Sequence, residues 1–156
     1  MSNIYPPWWE TTITLYNKYK DPQTQIITWY RTVLNNCFWQ HVGDKLIIND
    51  VALNTSSTIC RIPEQENFLV KSAWVNVPND KMHNYFTLSV GDIIVRGEVS
   101  DEINEYQTGK RSSDLLTKYN AQECIEVTDV AINIGTAKNN PHYSAQGGSG
   151  NTRYYD

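Results

Sequence analysis

The feature that most limits this chain is a series of short β-favouring runs, each closed by a turn signal, between Thr11 and Gly135. In TTITLYNKY, Thr12, Thr14 and Tyr16 alternate with Ile13, Leu15 and Asn17, and a period of two is the mark of a strand. Asp21-Pro22 then signals a turn before IITWYRTVLNNCFWQHV resumes β-branched and aromatic residues. The spacing predicts a hairpin, with Asn35-Asn36 as a second break that leaves Cys37 to Val42 as its own strand. Asn49-Asp50 is a further tight-turn candidate inside GDKLIINDVAL. Pro63 cannot donate a ladder hydrogen bond, so it ends the strand TICRIP.

The next stretch, 64–85, has a mixed pattern and a turn signal at Pro78-Asn79-Asp80. It predicts a long excursion from the sheet, and long loops of this kind commonly carry function. FTLSVGDIIVRGEV gives two strand-like runs about Gly91-Asp92. SSDLLTKYN predicts a helix over 112–119: Ser112 or Ser113 caps it, Asp114 suits its positive end, and Leu115, Leu116 and Tyr119 share one face. In ECIEVTDVAINIG the alternation shifts phase near Asp129, which predicts a bulge. Many short strands with one small helix predict an all-β fold, a small β-barrel or sandwich. The expected division is an aromatic arm over 1–10, the β domain over 11–135 and a second arm over 136–156, in a chain of 156 residues that suits one domain.

Charge narrows the function classes. Thirteen Lys and Arg against seventeen Asp and Glu give a net charge of −4, which argues against a protein built to neutralise nucleic-acid phosphate. MSNIYPPWWE lacks a basic region followed by an apolar one, and no apolar run approaches the ~20 residues of a membrane helix, so a cytoplasm-like compartment is expected. Cys37, Cys60 and Cys124 are odd in number and widely spaced, and are expected to be buried thiols.

Catalytic patterns are sparse. His41, His83 and His142 have no spacing that would bring two onto one metal ion, and no metal or cofactor is expected. Asp101, Glu102 and Glu105 resemble a carboxylate pair of the glycosidase type, but carboxylates directly after a strand are better read as a solvated loop or helix start. Gly109-Lys110-Arg111-Ser112 places a basic turn at a helix start without the upstream glycine of a phosphate loop. No enzyme activity is expected.

What remains is surface. In GDIIVRGEV, Asp92, Arg96 and Glu98 share one parity, with Ile94 the exception, while Ile93, Val95 and Val99 share the other; this predicts a polar outer face on a barrel strand. Ten tyrosines and five tryptophans suit half-buried sheets and interfaces. Trp8 and Trp9 either fold back on the domain or form an arm for a neighbour, and Tyr143, Tyr154 and Tyr155 pose the same choice at the other end. The candidate assembly surface is therefore Trp8, Trp9, Arg96, Glu98, Tyr143, Tyr154 and Tyr155.

TLYNKY, WYRTVLNNCFW, FTLSVGDIIVRGEV with DEI, and NNPHYSAQGG together resemble the small minor capsid or head-to-tail connector proteins of tailed phages and prophages of Gram-positive bacteria. The resemblance spans Thr12 to about Gly148; the SSDLLTKYN helix looks like an insertion in it. It implies a head-completion or stopper protein: a ring of copies beneath the portal, in contact with portal or adaptor proteins and tail proteins, with DNA passing through the lumen. It also implies a virion protein assembled in the bacterial host cytoplasm, with 64–85 as the first candidate for a gate or inter-ring contact. The alternatives are a tail terminator or tail-tube subunit and, in a different class, a carbohydrate-binding module suggested by the tryptophans.

Overall fold

The computed structural model describes residues 6–48, 51–119, 122–134 and 141–148. Six strands, β1 (Thr11–Lys20), β2 (Ile27–Ile48), β3 (Val51–Pro63), β4 (Ile93–Arg96), β5 (Cys124–Asn133) and β6 (His142–Gly148), close into a barrel in the order β1-β2-β3-β6-β5-β4. Every pairing in it is antiparallel. The expected all-β barrel is the fold. Among the described residues, helical structure is confined to α1 (Lys71–Trp74), α2 (Ser112–Lys118) and a 3-10 turn at Asn79–Asn84.

The β1 alternation places Ile13 and Leu15 in the barrel interior with Leu34, Cys60, Ile62 and Ile125. At the predicted turn, Asp21 Oδ1 accepts the backbone N–H of Gln23 and of Thr24, which closes the β1–β2 hairpin. Asn35-Asn36, expected to end a strand, instead makes a bulge within a continuous β2. Thr11 pairs with Cys37 and Ile13 with Leu34, so two β2 residues face the single Thr12. Asn36 takes the left-handed φ of 60° that asparagine tolerates, and Thr12 Oγ1 donates to Asn35 Oδ1 at 2.9 Å. The strand bends there and continues. Asn49-Asp50 lies outside the described residues, between the paired Ile48 and Val51.

The boundary expected at 136 is also revised, because His142–Gly148 is β6 and pairs with both β3 and β5. Short polar and glycine-rich sequence reads as an arm, yet the alternating small residues Ala145 and Gly147 let it close the barrel tightly. The bulge expected near Asp129 is present, as a register shift between Val127 and Asp129. At that point a Cβ on Gly147 would overlap the backbone carbonyl oxygen of Glu126. Gly147→Ala is expected to cost about 1–3 kcal/mol by urea denaturation, because a backbone atom has to move. Unchanged stability would show that the β5–β6 approach relaxes freely.

A second core lies outside the barrel wall. Tyr16, Ile93 and Val95 face outward from β1 and β4 and are covered by Ile103, Leu115 and Leu116, so α2 and its flanking loop act as a lid on the wall. Asp92 to Val95 are thus buried on both faces, with Ile94 on the interior side. The strand stops at Arg96, since Gly97 takes a φ of 95° and turns the chain away. Thr14 holds that turn, donating to Gly97 O at 2.8 Å and accepting from Val99 N at 3.0 Å.

The segment 64–85, expected as a long excursion from the sheet, leaves the barrel wall as such and folds into a packed plug. Trp74 is fully buried, its ring edge-on to Tyr19 and Tyr30 at centroid distances of 6.0 and 5.6 Å. Phe68 stacks on Tyr143 at 3.8 Å, and Leu69 N donates to Phe86 O while Phe86 N donates to Asn67 O. Aromatic and apolar residues spread through an irregular segment have no period, so their burial shows only once the chain is folded. The segment leaves β3 and enters β4 at the same barrel end, which it closes.

Candidate assembly surface

The charges that raise the question of chemistry are mostly structural fasteners. Asp92, expected on a polar outer face, is 0 % exposed. Its Oδ2 accepts Asn17 Nδ2 at 2.9 Å, Ser89 N at 2.9 Å and Ser89 Oγ at 3.3 Å, while Oδ1 accepts Lys18 N at 3.0 Å. Burial raises its pKa above the ordinary carboxylate value, a rise that these hydrogen bonds and the nearby Lys71 charge only partly offset. Asn17, also buried, bonds both ways to the backbone of Thr87, through Nδ2 to Thr87 O at 2.8 Å and through Oδ1 from Thr87 N at 3.2 Å. Together they clamp the 85–92 end of the plug to β1. Lys71 reaches over the Trp74 ring at 4.9 Å and donates to Lys18 O at 2.6 Å, and burial lowers its pKa.

The acidic group after β4 has similar work. Asp101 pairs with Lys118 at 2.6 Å and accepts the Tyr119 hydroxyl at 2.7 Å, and these hydrogen bonds hold its carboxyl below the usual range. Glu105 accepts Trp29 Nε1 at 2.9 Å and both the N–H and hydroxyl of Ser112, at 3.2 and 2.6 Å. These carboxylates fix the α2 lid to the wall. The Gly109–Ser112 turn is therefore already served by protein carboxylates, since Arg111 N donates to Asp114 Oδ2 at 3.0 Å as well. Ser112 and Ser113, either of them expected to cap α2, both lie inside it, and Arg111 holds the cap position.

Two open clefts border this lid. One of about 320 Å3 is lined by Asp101, Lys110, Arg111 and Lys118, and one of about 510 Å3 by Trp29, Tyr30, Arg31, Tyr106 and Lys110. Cys37, Cys60 and Cys124 are buried free thiols, and burial pushes Cys37 and Cys124 up to about 12 and Cys60 well above its ordinary value. His41 Nδ1 lies 2.8 Å from Thr58 Oγ1, and no group of metal-ligating side chains converges among the described residues. No helix among them is long and apolar enough to cross a membrane.

The predicted assembly residues do not form one surface. Trp8 is 70 % exposed, but Trp9 is buried against Phe38 and His142 on the outer wall, so the pair divides between the two roles left open for it. Arg96 and Glu98 are exposed where β4 ends. Tyr143, expected in an arm, is 2 % exposed inside the barrel, because β6 carries it to the Phe68 stack. Tyr154 and Tyr155 lie outside the described residues. No platform of coplanar exposed indoles is present among the described residues: Trp9 and Trp74 are buried, and Trp29 and Trp39 spend their N–H groups on Glu105 and Gln122 O.

The feature missing from the sequence expectation is a protruding hairpin. Beyond Thr11↔Cys37 on one side and Thr58↔Gly147 on the other, β2 and β3 pair only with each other, from Val42↔Ser57 to Ile48↔Val51. Those seven pairs carry a two-stranded arm roughly 20 Å out from the barrel. Its signal was the near mirror symmetry about Asn49-Asp50, with Leu46 and Leu53, and Ile48 and Val51, equidistant from the turn. Both outer edges of the arm lack a ladder partner among the described residues.

No curated protein and no solved structure matches the chain. A family model described as Family of unknown function (DUF6751) matches residues 8–148, nearly the whole barrel with its arm and plug, and the chain belongs to that family.

Proposed function

We propose that the protein is a non-enzymatic structural subunit of a tailed-phage particle, a head-completion protein that forms a ring between the portal and the tail. The observation that carries this is the β2–β3 arm on a closed barrel. A closed barrel has no free edge of its own, and an isolated two-stranded hairpin is at best marginally stable in water. An arm of this kind is what a subunit extends to a neighbour. The sequence resemblance to connector proteins supplies the particle, and the acidic net charge suits a lumen through which DNA passes without being held.

In a host carrying the phage genome that encodes the chain, deleting the gene is expected to give filled or leaking heads without tails. Restoring the gene in trans restores tailed particles. Infectious tailed particles from the deletion would overturn the proposal. Intact heads alongside tails of uncontrolled length in the deletion would favour a tail terminator instead.

A further inference from the structure

The closure of the barrel leaves the first part of β2 with one neighbour. β2 pairs with β1 from Ile27 to Cys37 and with β3 only from Phe38 onward, so along 27–36 its far edge meets no strand among the described residues. The direction of the backbone groups on that edge follows from β1. Lys18 turns its N–H to Asp92 Oδ1 at 3.0 Å and its C=O to the Lys71 ammonium at 2.6 Å, on the side where β4 pairs, as Thr12 turns its C=O to Gly97 N. The pair Lys18↔Trp29 is therefore one without hydrogen bonds, and Trp29 points its own N–H and C=O away from β1. With a period of two, Ile27 and Arg31 do the same. Ile27 agrees, since its N–H donates to the Tyr106 hydroxyl at 2.9 Å and not to the ladder. No hydrogen bond among the described residues uses the outward N–H or C=O of Trp29 or Arg31.

The larger of the two clefts lies along this edge. One wall is the run 26–31, and the other is the loop of the lid with Ile103, Tyr106 and Lys110. Those six strand residues span roughly 20 Å. From Ile27 to Leu34 the strand is in unbroken register with β1 and holds no proline, so it has none of the bulges or prolines that blunt an open edge. The Tyr106 hydroxyl accepts at Ile27 where the carbonyl of an added strand accepts. Ile26, 52 % exposed, and Tyr106, 62 % exposed, give the cleft an apolar rim for the side chains of such a strand.

Charge selects the occupant. Arg31 and Lys110 line the cleft against Glu102 alone, and Lys18 and Lys20 stand across the ladder from Trp29 and Ile27. This is a basic edge on a chain of net charge −4. We infer that the open edge of β2 at 27–31 binds an extended acidic segment of a partner protein by strand addition, with ladder hydrogen bonds to Trp29 and Arg31 and carboxylates facing Lys110 and Arg31. The edge is remote in β2 from the arm that begins at Val42, so this site stands whether or not the ring does.

An array of synthetic seven-residue peptides of randomised sequence, probed with the full chain, is expected to retain peptides rich in Asp and Glu with alternating β-branched or aromatic residues. By amide-exchange NMR, the peptide retained most strongly is expected to slow exchange of the Trp29 and Arg31 N–H groups at least tenfold. Tyr30 and Thr32, whose N–H groups face β1, are expected to be unchanged. Methylating the alternate peptide nitrogens that face β2 is expected to abolish binding, and methylating the other set to leave it. Lys110→Glu, at an exposed side chain, is expected to weaken binding at least tenfold by fluorescence anisotropy, with a circular dichroism spectrum and urea midpoint matching the wild type.

An array that retains no acidic peptide, or a bound peptide that protects neither Trp29 nor Arg31, would overturn the inference. So would equal binding by the two methylated sets, which needs no variant to fold. An oligothymidylate that binds more tightly than every peptide and is lost in Lys110→Glu would assign the cations to nucleic acid and sink the peptide site. Protection of both amides in the free chain, rising with protein concentration, would make a second copy the occupant and sink it equally.

Discussion

Asp92→Ala is expected to destabilise the protein by about 2–4 kcal/mol. The substitution leaves the backbone N–H groups of Lys18 and Ser89 buried without their acceptor, at about 1–3 kcal/mol each, and removal of a desolvated charge returns part of that. Asp92→Asn is expected to cost less, about 1–3 kcal/mol. Its carbonyl oxygen can take the place of Oδ2 and serve Asn17 and Ser89, but its amide then meets the N–H of Lys18, donor against donor. Urea denaturation of both variants measures these costs. An Asp92→Asn protein as stable as the wild type would show that the four acceptor contacts do not hold the plug.

The pH dependence separates Asp92 from the other carboxylates. Its folded pKa is raised, so as pH falls through that value toward the ordinary carboxylate range near 3.8, the folded state binds a proton that the unfolded chain does not. Stability therefore rises with acidification across this window. Asp101 acts in the opposite sense, because its folded pKa is lowered; the stability it contributes is lost as pH falls below the ordinary value. Its partner Lys118 is exposed, which keeps that contribution small. In Asp92→Asn the gain on acidification is expected to vanish.

Trp74→Ala is expected to cost about 3–5 kcal/mol, the range for truncating a large buried aromatic. Trp74 closes the barrel mouth against Tyr19 and Tyr30, and nothing else in the plug can fill that volume. Trp74→Phe is expected to cost about 1 kcal/mol, since the buried indole N–H has no protein partner to lose and only volume changes. Thermal and urea unfolding of the pair give the comparison. A loss in Trp74→Phe equal to that in Trp74→Ala would mean that the N–H is engaged after all. The same pair bears on a gate at 64–85, because a segment anchored by a fully buried tryptophan, a 3.8 Å ring stack and the Asp92 clamp opens only at the expense of these contacts.

Several elements were legible in the chain. The period of two in TTITLYNKY is imposed by a sheet with one face inward, and Asp21-Pro22 carries its own turn chemistry, so β1 and the start of β2 follow from local rules. The helix at 112–119 and the bulge near Asp129 are equally local and are found as α2 and as the β5 register shift. The candidate surface was less legible. Trp9 and Tyr143 carry the same aromatic signal as the exposed Trp8, and composition does not distinguish a ring packed in cis from one offered to a partner.

The sequence by itself determined that the chain is a strand-rich single domain with turns at defined places, because propensity, alternation and turn chemistry act over a few residues. Only the tertiary structure decided that Asp92 to Val95 are buried on both faces, that Asp92 is a clamp and not a surface charge, and that 64–85 is a plug. It also decided that β2 and β3 run on past the barrel as an arm. Each of these depends on which distant segment covers a strand, and burial of that kind is a property of pairs far apart in the chain. Asp92 and Asn17 are seventy-five residues apart and meet in one hydrogen bond that no local pattern announces.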